Sequence, residues 1–215
     1  MTLRTLTTYP RRNPLTAGYL VLLVLTHLWL LLVSPAMART VLLAVSTNVD
    51  NLAHEPVGPL LGSALFFDGT LTRINSLLFI GTLITLGLGI AQCLAWLERR
   101  WGARRAFALF LLGHVGATLL TAVIIEAALA HGWYPQSVRQ SLDFGISYGA
   151  QAVLAATTFL LPKRVRPWWA VFVVAWPLGG AEWSGPLPDF TTVGHLIATA
   201  LGFATGAAWL SRRSE

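Results

Sequence analysis

The chain has 215 residues, of which 55% are hydrophobic and only 11% charged, and its mean hydropathy is +0.64. A soluble domain carries roughly 25% charged residues, so these few charges cannot cover a water-facing surface and lipid must face much of the chain. A single cysteine, Cys93, excludes an intrachain disulfide and a thiolate metal cluster, and the net charge of +6 is distributed as an orientation signal rather than as a nucleic-acid surface.

Residues 1–14 are polar and carry Arg4, Arg11 and Arg12. An apolar run over about 16–38 follows, long enough to cross ~30 Å of hydrocarbon at ~1.5 Å per residue. Ala36-Met-Ala38 resembles a small-residue cleavage site, but the run is longer than the core of a signal peptide, so it is taken as an uncleaved first span. A long external connection, 39–75, comes next. Val41, Val45, Val49 and Leu52 recur at near-helical spacing and predict a short helix lying in the interface, broken by Pro56 and Pro59. The second span is predicted at about 76–97, the third at 106–130, the fourth at 143–161. A short fifth follows at 168–179, tilted or kinked at Pro177, and a sixth at 190–210, before a basic tail at 211–215.

The fold class expected is therefore all-α: a polytopic membrane protein with six transmembrane helices. Twelve of the fifteen Lys and Arg fall on one side of it; only Arg39, Arg73 and Arg139 fall on the other. The positive-inside rule then puts both termini in the cytoplasm and the chain in the cell (plasma) membrane. Trp133, Tyr134, Trp168, Trp169 and Trp183 near span ends suit an aromatic belt.

The stretch with chemistry in it is Asp143-Phe-Gly-Ile-Ser-Tyr-Gly149. With a helix from Asp143, Ser147 lies about one turn below the external face, and His195 lies at a similar depth, six residues past Asp189. If the fourth and sixth helices touch, imidazole can take the serine proton and activate the hydroxyl. Gly145 and Gly149 would form one small-residue ridge, and Ala198, Gly202 and Gly206 another, letting the two backbones approach. Two plainer readings stand beside this. Gly145-x-x-x-Gly149 can be a packing motif with Ser147 bonded to its own helix. G-x-S-x-G also names a hydrolase nucleophile elbow, but that needs a preceding strand. His27 and His114 do not share the depth of Ser147 and are expected to make structural hydrogen bonds. No metal-ligand spacing is present, so neither a metal nor another cofactor is expected.

At this point the chain resembles the rhomboid family of intramembrane serine proteases. Gly145-Ile-Ser147 resembles the family's G-x-S at the head of the fourth span. His195-Leu-Ile-Ala-Thr-Ala-Leu-Gly202 is similar to its H-x-x-G-x-x-x-G, with Ala198 at the first glycine. Leu61-Gly-Ser-Ala-Leu-Phe66 resembles the apolar lead-in to the second span, and Glu98-Arg-Arg-Trp-Gly102 the E-x-x-x-G that ends it. The resemblance implies a rhomboid-like bundle in which Ser147 attacks the scissile carbonyl of a single-span membrane protein, His195 acts as base then acid, and Gly145 shapes the oxyanion hole. Two departures stand out. Tyr148 replaces the glycine that usually follows the serine. The family's His and Asn of the second span, four residues apart, fall on Thr82 and Leu86 in one registration and on Ser76 and Ile80 in another. A second reading is therefore an inactive member that holds partner transmembrane helices; a small transporter component is disfavoured because the spans carry few ionisable groups.

Overall fold

Short polar side chains set where the helices begin. Ser34 Oγ accepts from Met37 N, Asn48 Oδ1 from Asn51 N, Ser76 Oγ from Phe79 N and Asp189 Oδ1 from Thr192 N, at 2.9 to 3.3 Å. Each satisfies an N–H that a helix start leaves without an acceptor. The computed structural model describes residues 3–183 and 185–211; its regular structure is helical, and among the described residues the one β-pairing is an isolated antiparallel bridge between Trp183 and Pro188. In chain order the helices are α1 (Leu3–Arg12), α2 (Pro14–Leu32), α3 (Pro35–Ala44), α4 (Val49–His54), α5 (Val57–Gly62), α6 (Leu77–Trp101), α7 (Ala103–Ala130), α8 (Ser147–Thr157), α9 (Arg166–Gly179) and α10 (Phe190–Ser211). Of these, α2, α6, α7 and α10 are long and apolar enough to cross a membrane. Two stretches inside α6 and α7, Leu83–Leu94 and Leu112–Gly116, are wound as π-helix.

Three sequence expectations change. The first apolar run does not stay helical to residue 38: Val33 turns extended and Ser34 caps a new helix. The Val41–Val45–Val49–Leu52 stripe is split between α3 and α4, because Asn48 caps a helix of its own. Residues 143–146 are not helical, so the fourth helix starts at Ser147 itself. The backbone cannot wind there: Gly145 has φ +117°, and a Cβ on it would meet Asp68 N at 3.3 Å.

The centre of the bundle is α8, much shorter than the four helices long enough to cross a membrane. Every residue of α8 after Ser147 is buried, and it packs along α10 more extensively than any other pair of elements pack. Small residues make this closeness possible. A Cβ on Gly206 would lie 2.9 Å from the Ala156 carbonyl, one on Gly202 2.8 Å from Ala155 Cβ, and one on Gly89 of α6 2.9 Å from Ala150 Cβ. Gly149 does not share a ridge with Gly145; it faces α7, where the Phe110 ring fills the space a side chain would take.

Contacts between distant segments define two ends of the bundle. At one, Arg99 donates to Asn13, the Arg105 guanidinium stacks 4.8 Å over Trp209, and the buried Glu98 carboxylate accepts from Leu15 N, Thr16 N and Thr16 Oγ1 at 2.6 to 3.0 Å. Glu98 thus caps α2 from another helix. The α1–α2 junction, the α6–α7 turn and the end of α10 meet here. At the other end, Arg139 pairs with Glu126 and Asp50, and Tyr134 donates to the Pro188 carbonyl. The 57–65 segment runs between the two ends against α2 and α7. Tyr19 and Thr26 donate to the Ala64 and Leu65 carbonyls at 2.6 Å, and His114 Nε2 lies 3.1 Å from both Ser63 Oγ and the Leu60 carbonyl. His114 is thereby a structural clasp, whereas His27 makes no hydrogen bond among the described residues and stacks on Phe67 with ring centroids 4.4 Å apart.

Candidate functional site

The site is built from two parallel helices in fixed register. Going down both chains, Tyr148 covers Gly194, Gln151 meets Thr199, Ala155 meets Gly202 and Ala156 meets Gly206. The rung at Gln151 carries the geometry. Its Nε2 donates to Thr199 Oγ1 at 2.8 Å, and Thr199 Oγ1 donates its own proton to the His195 carbonyl at 2.8 Å. Ser147 stands one turn before Gln151 and His195 one turn before Thr199. Helical spacing therefore puts Ser147 and His195 on the next rung towards the α8 N-terminus.

The two expected partners thus share a level, though not for the reason their distance from the flanking aspartates suggests. α8 simply begins lower than α10. Ser147 and His195 are each half-buried. No hydrogen bond joins their side chains among the described residues; the imidazole faces the Thr191 carbonyl and meets the Tyr148 ring edge-on, with centroids 5.0 Å apart. Tyr148 is 3% exposed and packs with Ala152, Ala198 and Ala117, and its hydroxyl, fully enclosed, has no hydrogen-bond partner among the described residues. Ala198 is fully buried at this contact. A Cβ on Gly194 would come within 2.6 Å of Tyr148 Cε1, so Gly194 is what admits the ring.

The first backbone hydrogen bond of α8 runs from Ala150 N to the Ile146 carbonyl at 2.9 Å. The N–H groups of Ser147, Tyr148 and Gly149 precede it and have no acceptor within the helix, a cluster of donors with the positive end of the helix dipole behind them. The positions registered on the second span offer less. Thr82 Oγ1 accepts from Thr70 N and donates to the Leu78 carbonyl, both at 2.9 Å; Leu86 is apolar, Ser76 caps α6 and Ile80 is apolar.

Two carboxylates flank the site outside the helices. Asp143 is drawn into a clasp: its carbonyl and carboxylate accept from Thr47, and its N–H donates to Ser46 Oγ. Burial pushes its carboxyl up to about 6, against the opposing pull of the Thr47 hydrogen bond. Burial also acts to raise Asp189, but donors from Thr191, Glu182 N and Thr192 outweigh it and hold the group below the usual carboxylate range.

Gln151 was missed in the sequence. It is 2% exposed and also donates to the Val173 carbonyl of α9 at 2.7 Å. That carbonyl would bond to the N–H four residues on, but the residue there is Pro177, which has none. One glutamine side chain therefore supplies the hydrogen bond a proline takes away and fastens α10 beside it. A polar amide inside an apolar run, with a proline inside another, is the signal that was available. No group of three or more His, Cys, Asp or Glu able to hold a metal occurs among the described residues.

A family model described as rhomboid-like protein matches residues 8–214. No curated protein and no solved structure matches the chain. The match runs through the 57–65 segment, the Glu98 cap, the head of α8 and the glycines of α10 alike, and the chain belongs to the rhomboid-like protein family.

Proposed function

We propose that the chain crosses the cell membrane six times, with α8 and α9 completing the set begun by α2, α6, α7 and α10, and that it is an intramembrane serine endopeptidase. The basic segments 1–14, 98–105 and 162–167 and the tail 211–215 lie on the cytoplasmic side under this reading. The meeting of Asn13, Arg99, Arg105 and Trp209 at one end supports a shared side for the termini.

The observation that carries the catalytic reading is the register of α8 on α10. The Gln151–Thr199 hydrogen bond fixes it, and it leaves Ser147 and His195 level on adjoining helices. Ser147 Oγ attacks the scissile carbonyl carbon of a single-span protein while His195 takes its proton. The developing oxyanion is received by the free N–H groups at the head of α8, with Gly145 keeping the approach open. His195 then protonates the leaving amine, and water, activated by the same imidazole, releases the acyl group from Ser147. No cofactor enters these steps.

A second reading has its own observation. Tyr148 stands against His195 and Thr82 has no free valence for an oxyanion, which suits a member that binds partner helices without cutting them. A fluorophosphonate probe applied to the protein in lipid separates the two. Labelling that is lost in Ser147→Ala and in His195→Ala supports the enzyme. Absence of labelling in protein whose near-UV circular dichroism is intact defeats it and leaves the binder.

A further inference from the structure

Away from the Ser147 site, α2, the 57–65 segment and α7 enclose an apolar groove of about 610 Å³. Its walls are Leu15, Leu22, Leu61, Leu65, Phe107 and Leu111, and its floor is Gly18 and Tyr19. Five of those walls are large hydrophobic side chains left 38 to 59% exposed. The floor offers nothing polar, because the Tyr19 hydroxyl is already spent on the Ala64 carbonyl. Gly18 keeps the groove open: a Cβ there would meet nothing within 4 Å.

The groove has one charged end. Pro14 and Leu15 line it there, two and three residues past Arg12. Arg104 stands one turn before Phe107 and two before Leu111, on the same stripe of α7. Arg11, Arg12 and Arg104 are exposed, and none is in an ion pair among the described residues. A helix is ~10 Å across with its side chains, so this volume would be used up by about five residues of one. A partner helix laid on the open groove would stand mostly outside this volume, whereas a narrower, flexible apolar chain seats within it.

We propose that this groove is a phospholipid site: one acyl chain lies along α2 over Gly18, and an anionic headgroup sits among Arg11, Arg12 and Arg104. The occupant follows from the two halves of the site together, since apolar walls alone would take any lipid tail and arginines alone any anion. The site does not depend on whether Ser147 is a nucleophile.

Native mass spectrometry tests it on the full chain, released from bilayers of equal phosphatidylglycerol and phosphatidylcholine with identical tails. The wild type should keep one lipid, predominantly phosphatidylglycerol. Gly18→Leu fills the groove without a clash and replaces a glycine inside a helix, so the variant should fold as well as the parent yet keep no lipid. Arg104→Gln should lower the preference for phosphatidylglycerol about fivefold, the effect of one arginine near an anionic headgroup. Val123→Trp, on the lipid-facing side of α7 away from the groove, should change neither result. Equal retention by Gly18→Leu, an unchanged headgroup preference in Arg104→Gln, or no retained lipid in the wild type overturns the proposal.

Discussion

The pairing of Gln151 with Val173 makes a quantitative prediction about how α8, α9 and α10 are held together. Val173 is fully buried, so water cannot replace a lost donor at its carbonyl. Gln151→Leu keeps the volume but removes two hydrogen bonds, at 2.7 and 2.8 Å, and orphans that carbonyl. An unsatisfied buried group costs about 1–3 kcal/mol, while hydrogen bonds between membrane helices average nearer ~0.6 kcal/mol when deleted. The orphaned group decides between these figures, and the loss should be about 1–2 kcal/mol. The cause can be isolated. Pro177→Ala restores an N–H four residues after Val173, so the carbonyl can bond within α9. In that background Gln151→Leu should lose only its Thr199 bond and cost about 1 kcal/mol less. Unfolding by sodium dodecyl sulfate in mixed micelles, followed by tryptophan fluorescence, gives the four stabilities of the double-mutant cycle. Strict additivity, with no coupling between positions 151 and 177, would refute the claim that the glutamine stands in for the proline's missing donor.

Two other perturbations follow from the same packing and from the loop that precedes α8. Gly202→Ala places a methyl against the Ala152 carbonyl and Ala155 Cβ and should destabilise by about 1–3 kcal/mol in the same assay, whereas Gly87→Ala, with open space around it, should be neutral or mildly stabilising; equal effects would mean that α8 and α10 are not in this contact. Asp143 is raised to about 6 from an ordinary value of 3.8. Between those values the folded protein binds more protons than the unfolded chain, so this group's contribution is full below pH 3.8 and is lost as pH rises through 6. Asp143→Asn keeps an oxygen for Thr47 but cannot ionise. Its melting temperature relative to the parent should therefore climb from pH 4 to pH 6.5, and a difference that stays flat across that window would contradict the buried clasp.

What the sequence made legible was local. Apolar runs marked α2, α6, α7, α8, α9 and α10, and Ser76 and Asp189 stood at the start of two of them; Ser34 and Asn48 were hidden inside runs of apolar residues, although capping involves only the next three residues. What it hid was set by partners far along the chain. Asp143 looks like the start of a helix until Ser46, Thr47 and Asp68 are brought against residues 143–146 and Gly145 is held at positive φ. Glu98 looks like the end of a span; its work as the cap of α2 depends on Leu15 and Thr16, more than eighty residues earlier. Gly149 was paired with Gly145 by spacing alone, and only the position of Phe110 shows which helix it faces. The depth assigned to Ser147 assumed a helix from Asp143. It came out level with His195 because two helices start at different heights, a relation no one-dimensional count contains.

That difference in height has a physical origin. Residues 147–160, even with the closing 3₁₀ turn Thr158–Leu160, span only about 21 Å, less than the ~30 Å of a hydrocarbon core. A helix that short cannot face lipid at both ends, because its unbonded N–H and C=O groups would sit in hydrocarbon. It is tolerated only inside protein. At its C-terminus the terminal carbonyls of Phe159 and Leu161 accept from the Arg166 guanidinium at 2.9 Å, so that end is closed by a basic side chain. At its N-terminus nothing within the helix closes the N–H groups of Ser147, Tyr148 and Gly149, and the 143–146 loop descends to meet them. Burying a short helix centrally therefore produces, without any further device, a set of unsatisfied donors below the level where α10 begins. The glycines that let α6, α7 and α10 close around α8 are what make that burial possible, and on this argument they belong to the chemistry of the site as much as the residues that line it.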